Sequence, residues 1–141
     1  MPPRDSNCVF CKIVNGDLPA SLVLDDSEAL VFLDVAPLAP GHLLLIPKIH
    51  YELISDMPED ECGRLLALVP RLGAALIKIT GKVAFNVLCN NRKEAGQVVP
   101  HVHIHLIPRV AGDALGYRWN PRQYGEGEME SLERRYRDAL I

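Results

Sequence analysis

The chain has 141 residues, 48% of them hydrophobic and 23% charged, which suits one folded domain with a sizeable core and excludes a disordered chain. A formal net charge of −3 speaks against general nucleic-acid affinity, so an anionic ligand would need a local trap of a few donors. No apolar run approaches a membrane span, Leu43-Leu44-Leu45-Ile46-Pro47 among them, and Met1-Pro2-Pro3-Arg4-Asp5 lacks the layout of a signal peptide, so cytoplasm is the expected compartment.

Residues 8–15 read as a short helix or knuckle, ended by Asn15-Gly16. Ser21 to Asp25 and Ala29 to Val35 read as a hairpin around the acidic turn Asp25-Asp26-Ser27-Glu28. Pro37 and Pro40-Gly41 break the chain before a third strand, His42 to Ile46, which Pro47-Lys48 ends. A long helix follows, capped by Ser55 or Asp56 with Pro58 in its first turn, and closed by Gly81. Leu65, Leu68, Val69, Leu72, Leu76 and Ile79 mark its apolar face, and Pro70 predicts a kink or a split. Lys82 to Asn90 is a fourth strand, Asn90 to Gly96 a polar loop, and Val102 to Pro108 a fifth strand. Residues 110–127 look irregular, and Glu128 to Leu140 resembles a terminal helix. The expected fold is α+β, an antiparallel sheet of about five strands with one face covered by the long helix, in one domain over 1–141.

Four cysteines in a cytosolic chain are not read as two disulfides. Cys62 and Cys89 lie in helical and strand patterns and read as small buried apolar residues. Cys8 and Cys11 form a Cys-x-x-Cys pair, a spacing shared by metal ligands and redox dithiols.

Three of the five histidines occupy alternate positions, His101, His103 and His105. On a strand they project to one side, while Val102, Ile104 and Leu106 project to the other and pin the register. The strand rise spaces such imidazoles roughly 6–7 Å apart. Two chemistries suit the row: a metal site using all three rings, or nucleophilic attack on phosphorus by one neutral imidazole whose neighbours steady the phosphate oxygens. Asn90 and the Ala95-Gly96-Gln97 loop can aim donors at an anion, and His42 can supply another.

The run His101-Val102-His103-Ile104-His105-Leu106-Ile107 matches in full the motif His-φ-His-φ-His-φ-φ, with φ apolar. Phe32-Leu33-Asp34, Pro40-Gly41-His42, Ile46-Pro47-Lys48 and Ala95-Gly96-Gln97 add further matches in order. With these the chain resembles the histidine-triad (HIT) family, and its Hint-like bacterial members with a Cys-x-x-Cys pair, over roughly three quarters of its length. The resemblance implies a hydrolase or transferase acting at the α-phosphate of a purine nucleotide derivative, a dinucleoside polyphosphate or a nucleoside phosphoramidate, through a nucleotidyl-histidine. It implies that His103 is the nucleophile, that His105 and His42 contact the phosphate, and that Gln97 and Asn90 flank the leaving group. Asp34 takes the position that holds the ribose hydroxyls, and Phe10, Ile13, Phe32, Leu33, Val35 and Leu44 fall where the family lines its base pocket. By themselves these six apolar residues read equally as core.

The resemblance also implies structural zinc on Cys8, Cys11, His50 and His101, and a homodimer joining two sheets edge to edge. Two positions depart from the family pattern. Hint members carry Ser directly after the motif Gln, a hydroxyl thought to help protonate the leaving group, where this chain has Val98. Many members carry Gly between the Asn and the Gln, where this chain has Arg92-Lys93, extra positive charge that suits a polyphosphate. Two rival readings are a nucleotide-binding regulatory or scaffold protein with idle chemistry and a metal hydrolase using the three His as ligands.

Overall fold

Short apolar-rich segments build a sheet from β1 (Leu22–Asp25), β2 (Ala29–Leu33), β3 (Leu43–Pro47), β4 (Ala84–Leu88) and β5 (Ile104–Arg109), with β2 and β3 buried on both faces. In a computed structural model describing residues 5–115 and 121–141, all neighbours pair antiparallel in the order β1-β2-β3-β5-β4. This is the expected α+β architecture. A register shift between Leu22 and Leu24 bends β1.

One face of the sheet carries the main core. Val31, Leu33, Leu43, Leu45, Ile104 and Leu106 pack there beneath α2 (Glu59–Leu66), α3 (Val69–Thr80) and α4 (Glu128–Leu140). Leu72 and Leu76 of α3 are fully buried, each contributing roughly 1.5–3 kcal/mol of apolar burial. Gly73 lets this helix sit directly on β4, because a Cβ there would come within 2.7 Å of the Phe85 ring. The expected long helix is thus two, and Pro70 falls in the first turn of α3, where its missing N–H costs nothing. Neither Ser55 nor Asp56 caps α2. They belong to a 3₁₀ turn, Pro58 stands at the N-cap, and Glu59, Asp60 and Glu61 place negative charge on the N-terminal dipole instead.

The opposite face is covered by α1 (Val9–Asn15), closed by Gly16 in the left-handed conformation. Cys8, Phe10, Cys11, Leu30, Phe32, Leu44 and Ile46 form a second, smaller core there. Cys62 and Cys89 are half-buried against the main core rather than fully enclosed. No regular element falls within the described part of 110–127, and the rest of that stretch, 116–120, lies outside the described residues. Among the described residues, no helix is long and apolar enough to cross a membrane.

Candidate functional site

The sheet register sets the site. Phe32 pairs with Leu44, Leu44 with His105, and His105 with Leu88, so these side chains form one lateral row on the α1 face. β5 begins only at Ile104: His101 and His103 precede it, in a segment held by the Val102 N–H donating to the Tyr51 carbonyl at 2.8 Å. The alternation nevertheless persists, because Val102, Ile104 and Leu106 all enter the helix-side core. The imidazole side is enclosed too. His42, His101, His103 and His105 are all buried, and the Phe10 ring meets His101 and His103 edge-on at centroid distances of 5.8 and 5.1 Å.

Backbone groups fix the tautomers of His103 and His42, and His42 in turn fixes that of His105. His103 Nδ1 lies 2.7 Å from the His101 carbonyl, which can only accept, so Nδ1 carries the proton and Nε2 the lone pair. The Leu38 N–H donates to His42 Nδ1 at 3.0 Å, which leaves the proton of neutral His42 on Nε2. His42 Nε2 lies 2.9 Å from His105 Nδ1 and donates to it, and His105 in turn bears its proton on Nε2. Burial keeps these rings neutral: it lowers His103 from the ordinary imidazole value, and with nearby His103 it pushes His42 and His105 down to about 3. The result is a basic nitrogen on His103 beside an N–H donor on His105, with ring centroids 4.9 Å apart.

Asp34 sits at the edge of this group. Its Oδ1 accepts from the Ala36 N–H at 2.9 Å, and its Oδ2 lies 3.7 Å from His42 Nε2. Burial raises its pKa, partly offset by the Ala36 hydrogen bond. Phe10, Phe32 and Leu44 share the imidazole face, with Ile13 packed against them. Val35 is exposed, beyond the end of β2. Leu33 is a correction: strand alternation turns its side chain into the helix-side core, fully buried, so it lines nothing on the imidazole face. Gln97 is buried and already engaged, its Oε1 accepting from the Arg92 N–H at 2.6 Å and its Nε2 donating to the Glu52 carbonyl at 2.7 Å. Gly96 packs against Asn90, whose Nδ2 would lie 3.3 Å from a Cβ at that position.

A second constellation lies under α1. One ligand atom from each of Cys8, Cys11, His50 and His101 falls within 4.8 Å of the others. His101 Nδ1 is 3.3 Å from Cys8 Sγ, 3.6 Å from Cys11 Sγ and 3.2 Å from His50 Nδ1, and Cys11 Sγ is 3.3 Å from His50 Nδ1. A tetrahedron with zinc bond lengths has S···N edges of about 3.6 Å and N···N edges of about 3.3 Å, so the four donors fit that ion. His101 Nε2 meets the Pro47 carbonyl at 2.8 Å, which puts the proton there and frees Nδ1 to ligate. Both cysteines are free thiols. The three motif histidines do not converge on one ion: among the described residues His101 groups with the cysteines, and His105 with Asp34 and His42. That removes the three-histidine metal reading.

Sequence reasoning missed the groups that orient the rings. The Leu38 amide and the Pro47 carbonyl are main-chain atoms brought in by folding. Tyr136 and Tyr124 are a further surprise. The fully buried Tyr136 hydroxyl donates to the Gly41 carbonyl at 2.8 Å, and the Gly41 N–H donates to the Tyr124 hydroxyl at 3.2 Å. They hold the turn before His42 from both sides.

The model of the HIT domain matches residues 15–112. Among curated proteins, "Adenylylsulfatase HINT3" of Arabidopsis thaliana is 43% identical over 78% of this chain, which spans only 56% of that protein's length. "Adenosine 5'-monophosphoramidase hnt1" of Schizosaccharomyces pombe is 37% identical, covering 89% of this chain and 92% of its own. A zinc-bound histidine triad protein from Mycobacterium smegmatis superposes with a TM-score of 0.81 at 36% identity, covering 95% of this chain and 93% of that one. With a domain match over most of its length, and the motif's imidazoles buried on the sheet face that the register requires, this chain belongs to the histidine-triad (HIT) family.

Proposed function

We propose that the protein hydrolyses, or transfers the nucleotidyl group of, purine nucleotide derivatives at the α-phosphate, with His103 as the nucleophile. The observation that carries this reading is the 2.7 Å contact between His103 Nδ1 and the His101 carbonyl, which commits Nε2 to be a lone-pair donor. Nε2 attacks the α-phosphorus, the bond to the leaving group breaks, and the leaving atom departs with the electron pair. His105 Nε2–H hydrogen-bonds a non-bridging oxygen as negative charge builds there. Water then attacks the phosphorus of the nucleotidyl-imidazole, the P–N bond breaks with its pair returning to Nε2, and the proton lost by the water passes to solvent.

Asp34 holds the ribose hydroxyls beside His42, and Phe10, Phe32, Leu44 and Ile13 give the base an apolar seat, with Val35 at its rim. Asn90 and Gln97 border the leaving-group side. Cys8, Cys11, His50 and His101 hold a structural zinc. Bound there, the ion supplies a rigid cross-link between α1 and the histidine segment and takes no part in bond making. The whole chain works as one HIT domain in the cytoplasm, as a homodimer joined through β4, an edge strand with exposed Val87 and with exposed Val83 just before it.

The test is a turnover screen over adenosine and guanosine phosphoramidates and dinucleoside polyphosphates, followed by rapid quench with an α-phosphate label. Wild type should yield an acid-labile adduct, and His103→Asn none, with turnover down at least about a thousandfold, on the order of 4 kcal/mol of barrier. Near-normal turnover by His103→Asn would leave direct attack by water as the mechanism.

A further inference from the structure

The order of protons along the imidazoles begins at one backbone amide. Because the Leu38 N–H donates to His42 Nδ1, His42 donates through Nε2, and His105 then presents its own Nε2–H to the phosphate. A ring oriented by a loop amide keeps that tautomer only while the loop stays in place. The loop between β2 and β3, residues 34–42, has little of its own to hold it. Pro37 and Pro40 have no N–H to donate, and Gly41 takes φ 95°, in the region that glycine enters freely.

The far end of the chain supplies the missing grip. The peptide joining Pro37 to Leu38 is bonded at both edges: its N–H goes to His42 Nδ1, and its carbonyl accepts from the Arg122 N–H at 2.7 Å. The peptide joining Gly41 to His42 is pinned in the same way. Its N–H donates to the Ala39 carbonyl at 3.1 Å, and its carbonyl accepts from the Tyr136 hydroxyl at 2.8 Å. Tyr124 takes the next peptide back, its hydroxyl accepting from the Gly41 N–H at 3.2 Å. The fit is close, since a Cβ on Gly41 would come within 2.7 Å of Thr80 Cγ2 and 3.2 Å of the Tyr136 oxygen. Tyr136 is fully buried, and a phenylalanine would fill the same space without burying a hydroxyl. What each hydroxyl adds is a fixed direction for a peptide within two bonds' reach of His42.

We infer that Tyr124 and Tyr136 are positioning residues: acting through the Gly41 turn and His42, they keep the His105 N–H aimed at the phosphate oxygens as negative charge builds there. The inference rests on the α-phosphate reading above and deepens it. The test uses the full chain as wild type, Tyr124→Phe, Tyr136→Phe and Arg137→Gln. The last removes a 2.6 Å bond from α4 to the Leu22 carbonyl, on the far edge of the sheet, and so controls for general loosening of α4. Turnover of adenosine 5'-phosphoramidate and of diadenosine tetraphosphate is resolved into kcat and KM. Amide hydrogen exchange follows the Leu38 N–H without any substrate. In each Phe variant kcat should fall about ten- to thirtyfold with KM within about threefold, short of the roughly hundredfold or more lost when such a donor is removed outright. Leu38 protection should drop at least about tenfold relative to the β3 amides in the same variants. Arg137→Gln should leave both readouts within about twofold of wild type. If Tyr136→Phe fails to fold, the half-buried Tyr124→Phe carries the comparison alone. Unchanged kcat, a loss confined to KM, or an equal loss in Arg137→Gln would overturn the positioning role. A wild type that turns over neither substrate would instead overturn the α-phosphate reading, and Leu38 exchange would still decide whether the tyrosines hold the loop.

Discussion

Acid should unfold this protein through its buried imidazoles. His42 and His105 are neutral in the fold with pKa values near 3, against 6.5 in the unfolded chain. Their folded values are depressed, so below 6.5 the unfolded state takes up protons that the native state refuses, and stability falls as pH drops. The loss begins near the unfolded value and stops only near the folded one. From neutral pH to about pH 4.5, each ring costs about 2–3 kcal/mol, a large share of a typical domain's stability. Urea melts at the two pH values, in wild type and His105→Asn, isolate one ring, because the rest of the chain is common to both. The acid loss should be smaller in the variant by about 2–3 kcal/mol. Equal losses in the two proteins would show that His105 accepts a proton in the fold, and the neutral His42–His105 hydrogen bond would have to be abandoned.

Purified protein should carry about one tightly held zinc per chain, and X-ray absorption should report two sulfur and two nitrogen neighbours. Asp34→Asn should weaken ribonucleotide binding about ten- to a hundredfold, as expected for a carboxylate–hydroxyl pair worth roughly 1.5–3 kcal/mol, and spare 2′-deoxy analogues. Equal losses for both sugars would make Asp34 the turn residue its Ala36 contact describes. Sedimentation at micromolar concentration should report twice the 15.6 kDa chain mass, and Val87→Lys on β4 should shift the population toward monomer.

Local signals in the sequence reached most of the architecture. Apolar runs bounded by turn residues located β2 and β3, period-2 alternation located β5, Pro70 the division between α2 and α3, and Gly16 the end of α1. The four-residue cysteine and histidine set was legible through spacing and resemblance together. What stayed hidden was long-range. Nothing near residue 101 announces that α1, some ninety residues upstream, will roof the imidazoles with Phe10. The Leu38 amide and Pro47 carbonyl have no side-chain signature at all. Leu33 teaches a different point: alternation from Phe32 already assigned it to the far face, and family resemblance overrode a physical rule that was right.

The tyrosine clamp on Gly41 bears on how such a protein should be dissected. Cys8 and Cys11 lie before residue 15 and Tyr124 and Tyr136 after residue 112, outside the stretch that matches the family. A fragment trimmed to those borders would keep every motif histidine yet lose both hydroxyls flanking the His42 turn and both thiols beside His101. It would look complete in an alignment and be loosened where the rings must be aimed. Minimal fragments of this chain are therefore better cut by hydrogen bonds to the Gly41 turn than by the borders of the domain match, because residues beyond those borders hold the turn that carries His42.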